Sequence, residues 1–205
     1  VIRAIAFDWG GVFTEGTFDS SAVTALARLH GVPEPRLEKP YLDLMGAFED
    51  GAFDLPEFQR RLEERTGLHT DEATFRRTFL GAVRWREPML ALLGTLPPAY
   101  TVGVLSNNVP ELCDVVRDDP RMQRVERWVF SNEIGVRKPH REAFDALQDA
   151  LGIPPEETVF IDDNARNIAA CNDLGFTGLL VDDLPGFAAR WRRALPDTPL
   201  PPGFA

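Results

Sequence analysis

The stretch Ile5-Ala6-Phe7-Asp8-Trp9-Gly10-Gly11-Val12 decides how the rest of the chain is read. Val1 to Phe7 is largely apolar and too short for a helix, so it reads as a strand buried on both faces, as in a parallel sheet. The strand ends on Asp8, and two glycines follow within three residues. A carboxylate at the tip of a buried strand is costly unless a cation meets it there. Glycines let the backbone turn tightly and approach a ligand closely. Asp8 is therefore read as a nucleophile and metal ligand. The plainer reading, a turn or helix-capping aspartate, would suffice if the residue stood alone.

Outward from this stretch, the pattern is helical. Ser20 and Ser21 are placed to cap a helix carrying Val23, Leu26, Ala27 and Leu29, ended by Gly31 and Pro33. Further helices are predicted from Arg36 to Phe48, from Leu55 to Gly67, and after Thr70. No strand is expected between Phe18 and Val83. From Arg86 onward helix and strand alternate. Strands are read at Tyr100–Leu105, Trp128–Phe130, Thr158–Ile161 and Gly178–Val181, and helices at Met89–Leu93, from Pro110, and over Pro139–Leu151, Ala165–Leu174 and Leu184–Leu195. Alternation of this kind implies a Rossmann-like, doubly wound parallel α/β sheet with an inserted helical segment. The expected division is a core of 1–14 and 87–205, a helical cap of 15–86, and a Pro-rich, loosely held tail of 196–205.

Composition narrows the function. Hydrophobic content of 44% and charged content of 26% suit a soluble globular domain. A net charge of −10 argues against a nucleic-acid partner. No segment is long and apolar enough for a membrane span, and the first residues lack the cationic flank of a signal peptide. Cys113 and Cys171 suggest no disulfide framework, which fits a reducing, cytoplasmic setting. His30, His69 and His140 share no ligand spacing. A monomer or homodimer is equally compatible with these features.

Three predicted strands end on polar residues: Asp8, then Ser106-Asn107-Asn108, then Asp162-Asp163. In open parallel sheets, ligands bind outside the carboxyl ends of the strands. Asp8 with Asp163, and with Asp162, forms a cluster of hard oxygens that suits Mg²⁺ bridging to phosphate. Lys138, one of two lysines in the chain, stands in the loop Val136-Arg137-Lys138-Pro139 and adds positive charge. Ser106 offers a hydroxyl to a phosphoryl oxygen. A carboxylate beside a metal and a lysine can attack phosphorus to form an aspartyl phosphate.

The ordered set Phe7-Asp8-Trp9-Gly10-Gly11-Val12, Val104-Leu105-Ser106-Asn107, Arg137-Lys138-Pro139 and Phe160-Ile161-Asp162-Asp163-Asn164-Ala165-Arg166-Asn167 resembles the haloacid dehalogenase superfamily. More narrowly it is similar to the branch with an α-helical cap, which includes α-D-glucose-1-phosphate phosphatase and the phosphatase domain of soluble epoxide hydrolases. The resemblance implies a Mg²⁺-dependent phosphatase of a small phosphorylated metabolite. It implies Asp8 as nucleophile and metal ligand, the Gly10 carbonyl and Asp163 on the metal, and Asp162 as a direct or water-mediated ligand. Ser106 and Asn107 would hold phosphate, Lys138 would clamp its charge, and Asn167 would orient the acidic loop.

One position departs from the pattern. Most phosphatases of this superfamily carry a second Asp two residues after the nucleophile, which protonates the leaving oxygen and then activates water. Gly10 stands there and can do neither. A leaving group that needs little protonation, such as the anomeric oxygen of a sugar 1-phosphate, is the preferred explanation. An acid supplied by the cap is the second, with Glu15, Asp19, Glu49 and Asp50 as candidates. A catalytically weakened, phosphate-binding or regulatory protein is the third. Asp8-Trp9-Gly10-Gly11 also resembles the first motif of phosphonoacetaldehyde hydrolase, whose cap lysine forms a Schiff base; Lys39 is the one lysine available for that role.

Overall fold

A computed structural model of the protein describes residues 1–204. Its centre is a five-stranded, all-parallel sheet of order β3-β2-β1-β4-β5. β1 (Ala4–Phe7) pairs with β2 (Thr101–Ser106) on one side and with β4 (Thr158–Asp162) on the other. β3 (Arg127–Phe130) and β5 (Thr177–Leu180) form the edges. The chain runs outward from β1 in one direction through β2 and β3, then returns to β1's other side for β4 and β5. Such a reversal leaves a crevice at the carboxyl ends of the strands beside the switch. Asp8 follows β1 there, and its N–H still donates to the Ile161 carbonyl of β4 at 2.7 Å.

Between β1 and β2 the chain forms α1 (Phe18–His30), α2 (Pro35–Glu49), α3 (Leu55–Thr66), α4 (Glu72–Leu80) and α5 (Glu87–Thr95). The starts of α1, α3 and α4 follow from side-chain caps. Asp54 accepts from the Glu57 N–H at 3.0 Å and Asp71 from the Thr74 N–H at 2.9 Å, each satisfying an orphaned first-turn donor. α1 begins earlier than the expected Ser20-Ser21 cap. Thr17 takes the extended backbone and accepts from the Ser20 N–H at 3.2 Å, so both serines lie inside the helix. α1 to α4 pack around aromatic rings, with Phe48 on Phe58 at 4.8 Å, Tyr41 on Phe58 at 5.3 Å and Phe18 on Phe79 at 5.1 Å. This cluster is continuous with the main core through Trp9, whose ring lies 6.1 Å from Phe18. The segment leaves and rejoins the sheet layer at a two-stranded neck. There Thr14 bridges Trp85, the Glu15 N–H donates to the Arg84 carbonyl at 2.8 Å, and the Arg86 N–H donates to Phe13 at 2.7 Å.

The remaining helices are α6 (Pro110–Arg117), α7 (Ser131–Ile134), α8 (Arg141–Leu151), α9 (Ala165–Asp173) and α10 (Leu184–Ala194). Alternation along β1 assigns them to layers. Ile5 and Phe7 pack with α5, α6 and α10, while Ala4 and Ala6 pack with α8 and α9. α8 starts at Arg141 rather than at Pro139, because His140 is still extended. β1 is likewise shorter than read, and Val1 is fully exposed.

The expectation of a loose tail is overturned. Thr198 and Phe204 are buried, the Trp191 indole donates to the Thr198 carbonyl at 2.8 Å, and the Phe204 ring lies tilted against Phe187 with centroids 5.8 Å apart. A buried indole N–H needs an acceptor, and the tail supplies it. Among the described residues no helix is long and apolar enough to cross a membrane.

Candidate active site

At the crevice, a cavity of about 190 Å³ is walled by the sheet's carboxyl edge on one side and by α1 and α2 on the other. Asp8, Trp9, Gly10, Asn107, Asn108, Asp163 and Asn167 line the first wall; Phe18, Asp19, Met45 and Glu49 line the second. Asp8, Asp162 and Asp163 each bring a carboxylate oxygen to within 4.8 Å of the others.

Lys138 is the hub of this arrangement. Its side chain is 1% exposed, and its ammonium reaches Asp8 Oδ2 at 2.9 Å and Asp162 Oδ2 at 2.7 Å. Asp8 Oδ1 accepts from the Trp9 N–H at 2.7 Å. Burial opposes the ammonium charge, but the two carboxylates win and hold Lys138 protonated above its ordinary range. Asp8 behaves the opposite way. Burial pushes it up to about 7 against the pull of Lys138, and the Asp162 and Asp163 charges add to the rise. Burial, with Asp162 beside it, also raises Asp163.

The two adjacent aspartates do different things. Asp162 is wholly buried, and both its oxygens are taken by protein donors: Asn164 N–H at 2.7 Å on Oδ1, Lys138 and the Asn167 amide (2.9 Å) on Oδ2. It lies beneath the cavity as an anchor for Lys138. Asp163 points the other way and lines the cavity. Gly11 makes room for it: a Cβ built at Gly11 would fall 1.9 Å from Asp163 Oδ2, and its φ of +72° is a left-handed conformation glycine adopts freely. The close approach read from the glycines is thus to Asp163 itself.

Asn107 is also engaged differently from the expectation. Its amide donates to the Lys138 carbonyl at 3.1 Å and accepts from the Lys138 N–H at 2.8 Å, so its side chain clamps the lysine's backbone. Ser106 ends β2 with its hydroxyl 3.4 Å from the Asn107 carbonyl, just below the lining. Asn108, read only as part of the polar run, lines the cavity, and its buried amide nitrogen has no partner; the buried Trp9 indole nitrogen is likewise unpartnered. Lys39 sits on the outer face of α2, paired with Asp43 at 2.7 Å with its side chain 81% exposed, and does not line the cavity. A Schiff-base role for it finds no support in this arrangement.

The model of the haloacid dehalogenase-like hydrolase family matches residues 2–175. The chain belongs to that family. Among relatives of this hydrolase, D-ribitol-5-phosphate phosphatase of Bacteroides thetaiotaomicron is 28% identical, over 95% of this chain and 97% of its own. A sesquiterpene phosphatase of Aspergillus oryzae is 27% identical over 66% of this chain and 71% of its own. The fold is shared with a Bacteroides thetaiotaomicron enzyme of the family solved with magnesium and inorganic phosphate (TM-score 0.73, 23% identity, 88% of this chain and 94% of that one). It is shared also with an L-2-haloacid dehalogenase of Xanthobacter autotrophicus (TM-score 0.67, 19% identity, 100% of this chain and 86% of that one). At such identities the likeness speaks to fold alone, so the hydrolase's chemistry has to be argued from its own site.

Glu49 and Asp19 are the site residues that sequence reasoning could place only among four candidates. Glu15 and Asp50 lie outside the cavity, exposed. Nothing local in the sequence separates the four, because each stands at a helix end or turn and only the packing of α1 and α2 onto the sheet edge selects among them.

Proposed function

We propose that this hydrolase is a Mg²⁺-dependent phosphatase of a small phosphorylated metabolite, a sugar phosphate by preference, working through an aspartyl phosphate on Asp8. The observation that carries the reading is the Asp8 carboxylate, 2.9 Å from a buried ammonium and within ion-bridging reach of Asp163 at the mouth of a small cavity. The donor set fits the cation. Three carboxylates face one ammonium, which leaves an excess of negative charge among hard oxygens. Asp8, Asp163 and the Gly10 carbonyl would hold Mg²⁺, which would supply charge neutralisation of the phosphoryl group.

The chain's own groups support the rest. Asp8 attacks phosphorus, and Lys138, held by Asp162 and Asn107, offsets charge on the phosphoryl oxygens. The unpartnered Asn108 amide suits a phosphoryl oxygen as donor, and the Ser106 hydroxyl would serve as a second by turning from the Asn107 carbonyl. The helices of 15–86 form the cap over this site, and its cavity admits a short carbon chain rather than a polymer. The relative that acts on D-ribitol 5-phosphate is consistent with such a substrate.

The test is phosphate release from a panel of sugar and polyol phosphates with and without Mg²⁺, beside Asp8→Asn. The wild type is expected to turn over at least one of them, EDTA to abolish turnover, and Asp8→Asn to lose about a thousandfold or more, as for a removed nucleophile. Retention of more than a tenth of the activity by Asp8→Asn would remove the covalent mechanism. Silence of the wild type across the panel would favour the weakened, phosphate-binding reading that Gly10 raises.

A further inference from the structure

Gly10 leaves the reaction without its usual proton donor, and the backbone does not enforce that absence. A Cβ built at Gly10 meets nothing within 4 Å. The space is open, and the wall facing it carries two carboxyls, Asp19 from the first turn of α1 and Glu49 from the last residue of α2.

Glu49 is held in place from three directions. Arg137 Nη1 donates to Glu49 Oε2 at 3.0 Å, and the guanidinium lies along α2 where Gly46 has no side chain, 3.2 Å from a Cβ built there. The Ser131 hydroxyl donates to the Glu49 carbonyl. One turn on, Gly51 packs so closely on Asn132 that a Cβ would stand 2.9 Å from its carbonyl oxygen. Among the described residues no protein donor reaches Oε1, so that oxygen is left for the cavity. The other ionisable groups around it are Asp19 on α1, Tyr41 on α2 and Lys138 in the loop before α8, with Asp8 and Asp163 across the cavity. Tyr41 donates to Asp19 Oδ1 at 3.0 Å and fixes that carboxyl in turn.

We infer that Glu49 is the general acid and base of this enzyme, supplied by the cap helix α2 in place of the side chain missing at Gly10, with Asp19 and Arg137 as its positioning residues. Burial, with the Asp19 charge adding, pushes Glu49 up to about 7 against the pull of Arg137 and Lys138, where a carboxyl can both give and take a proton near neutrality. The inference rests on the phosphatase reading above. In the first step the Asp8–phosphorus bond forms, the phosphorus–oxygen bond to the leaving group breaks, and the Glu49 proton passes to that oxygen. In the second, Glu49 takes a proton from water as the water oxygen bonds phosphorus. The bond to Asp8 then breaks, its carboxylate is restored, and inorganic phosphate leaves. The restriction to well-stabilised leaving groups, read from Gly10, then falls away for the wild type and returns when Glu49 is removed.

The experiment compares first-turnover alcohol release by wild type, Glu49→Gln and Glu49→Gln/Gly10→Asp. One substrate is p-nitrophenyl phosphate; the other is an alkyl phosphate such as ribitol 5-phosphate or whichever the panel selects. Glu49→Gln is expected to lose about a hundredfold or more on the alkyl phosphate and less than about tenfold on the nitrophenyl ester, whose leaving group needs no proton. The added Asp at position 10 is expected to recover about tenfold or more of the alkyl loss. Equal losses on both substrates, or no loss on either, overturn the inference while leaving the phosphatase reading standing. A wild type silent on both substrates overturns the phosphatase reading itself. If Glu49→Gln does not fold by circular dichroism, Asp19→Asn takes its place. Removing that negative charge favours ionised Glu49, so the fall of kcat/KM at high pH should move to lower pH. An unmoved limb overturns the inference.

Discussion

Asp162 has no exposed surface, and its carboxylate stands between Lys138, Asn167 and the Asn164 N–H. Removing one member of a buried ion pair strands the other, at a cost of about 3–5 kcal/mol. Lys138 keeps Asp8 when Asp162 is neutralised, whereas losing Lys138 strands Asp162, so Lys138→Met is expected to destabilise by about that much in urea unfolding, and Asp162→Asn/Lys138→Met by less than the two single variants together. Additive losses would mean the pair is not coupled. Glu49 gives a pH signature. Its folded value of about 7 lies above its ordinary 4.5, so the folded state binds the proton more tightly than the unfolded chain. Its burial thus costs nothing below pH 4.5, and the cost grows as pH rises through 7, to about 3 kcal/mol above it. Glu49→Gln should gain stability relative to wild type between pH 5 and pH 8.5, less whatever the lost Arg137 contact takes back; a relative loss would contradict the assignment. At this scale the strand-tip residues were legible because buried strands rarely end on charge. The fate of the Asn107 side chain was not legible, because its partner is a backbone 31 residues away.

At the scale of elements, α2 is tied to the sheet layer by its last turn. The Ser131 hydroxyl at the start of α7 donates to the Glu49 carbonyl and accepts from the Asn108 N–H at 3.0 Å, joining α2, the loop after β2 and the end of β3. Ser131→Ala leaves buried backbone groups unpaired, each worth about 1–3 kcal/mol. A lowered thermal midpoint is expected, with kcat for an alkyl phosphate falling more than for p-nitrophenyl phosphate because the Glu49 backbone loses one of its ties while Arg137 remains. Unchanged ratios between the substrates would detach Ser131 from proton transfer. The helices themselves were readable from apolar spacing, and their boundaries moved only where a side chain outside the periodic run took the cap, as Thr17 does for α1.

Over the whole molecule, one apolar core runs from the aromatic rings of α1 to α4 through Trp9 into the layer of α5, α6 and α10. The Pro-rich tail closes that layer. Deleting 197–205 removes Phe204 and the Thr198 acceptor of the Trp191 indole. Burial of one aromatic ring and one unpaired donor together suggest a loss of about 3–5 kcal/mol, visible as a lowered urea midpoint; an unchanged midpoint would restore the picture of a loose tail. The tail's proline content concealed this, since proline limits hydrogen-bonded structure without limiting packing.

What the sequence by itself determined was the parallel sheet, the inserted helices and the edge at which chemistry occurs. Apolar runs, their periods and the polar residues that end them are local properties, and strand order then brings those ends together. The tertiary structure alone decided which carboxylate does what. Adjacent residues leave a strand on opposite sides, so Asp162 turns down to Lys138 and Asp163 turns out to the cavity. Glu49 lines the same cavity as Gly10 only because α2 docks through Ser131 and Arg137, contacts that span more than eighty residues and have no local signature.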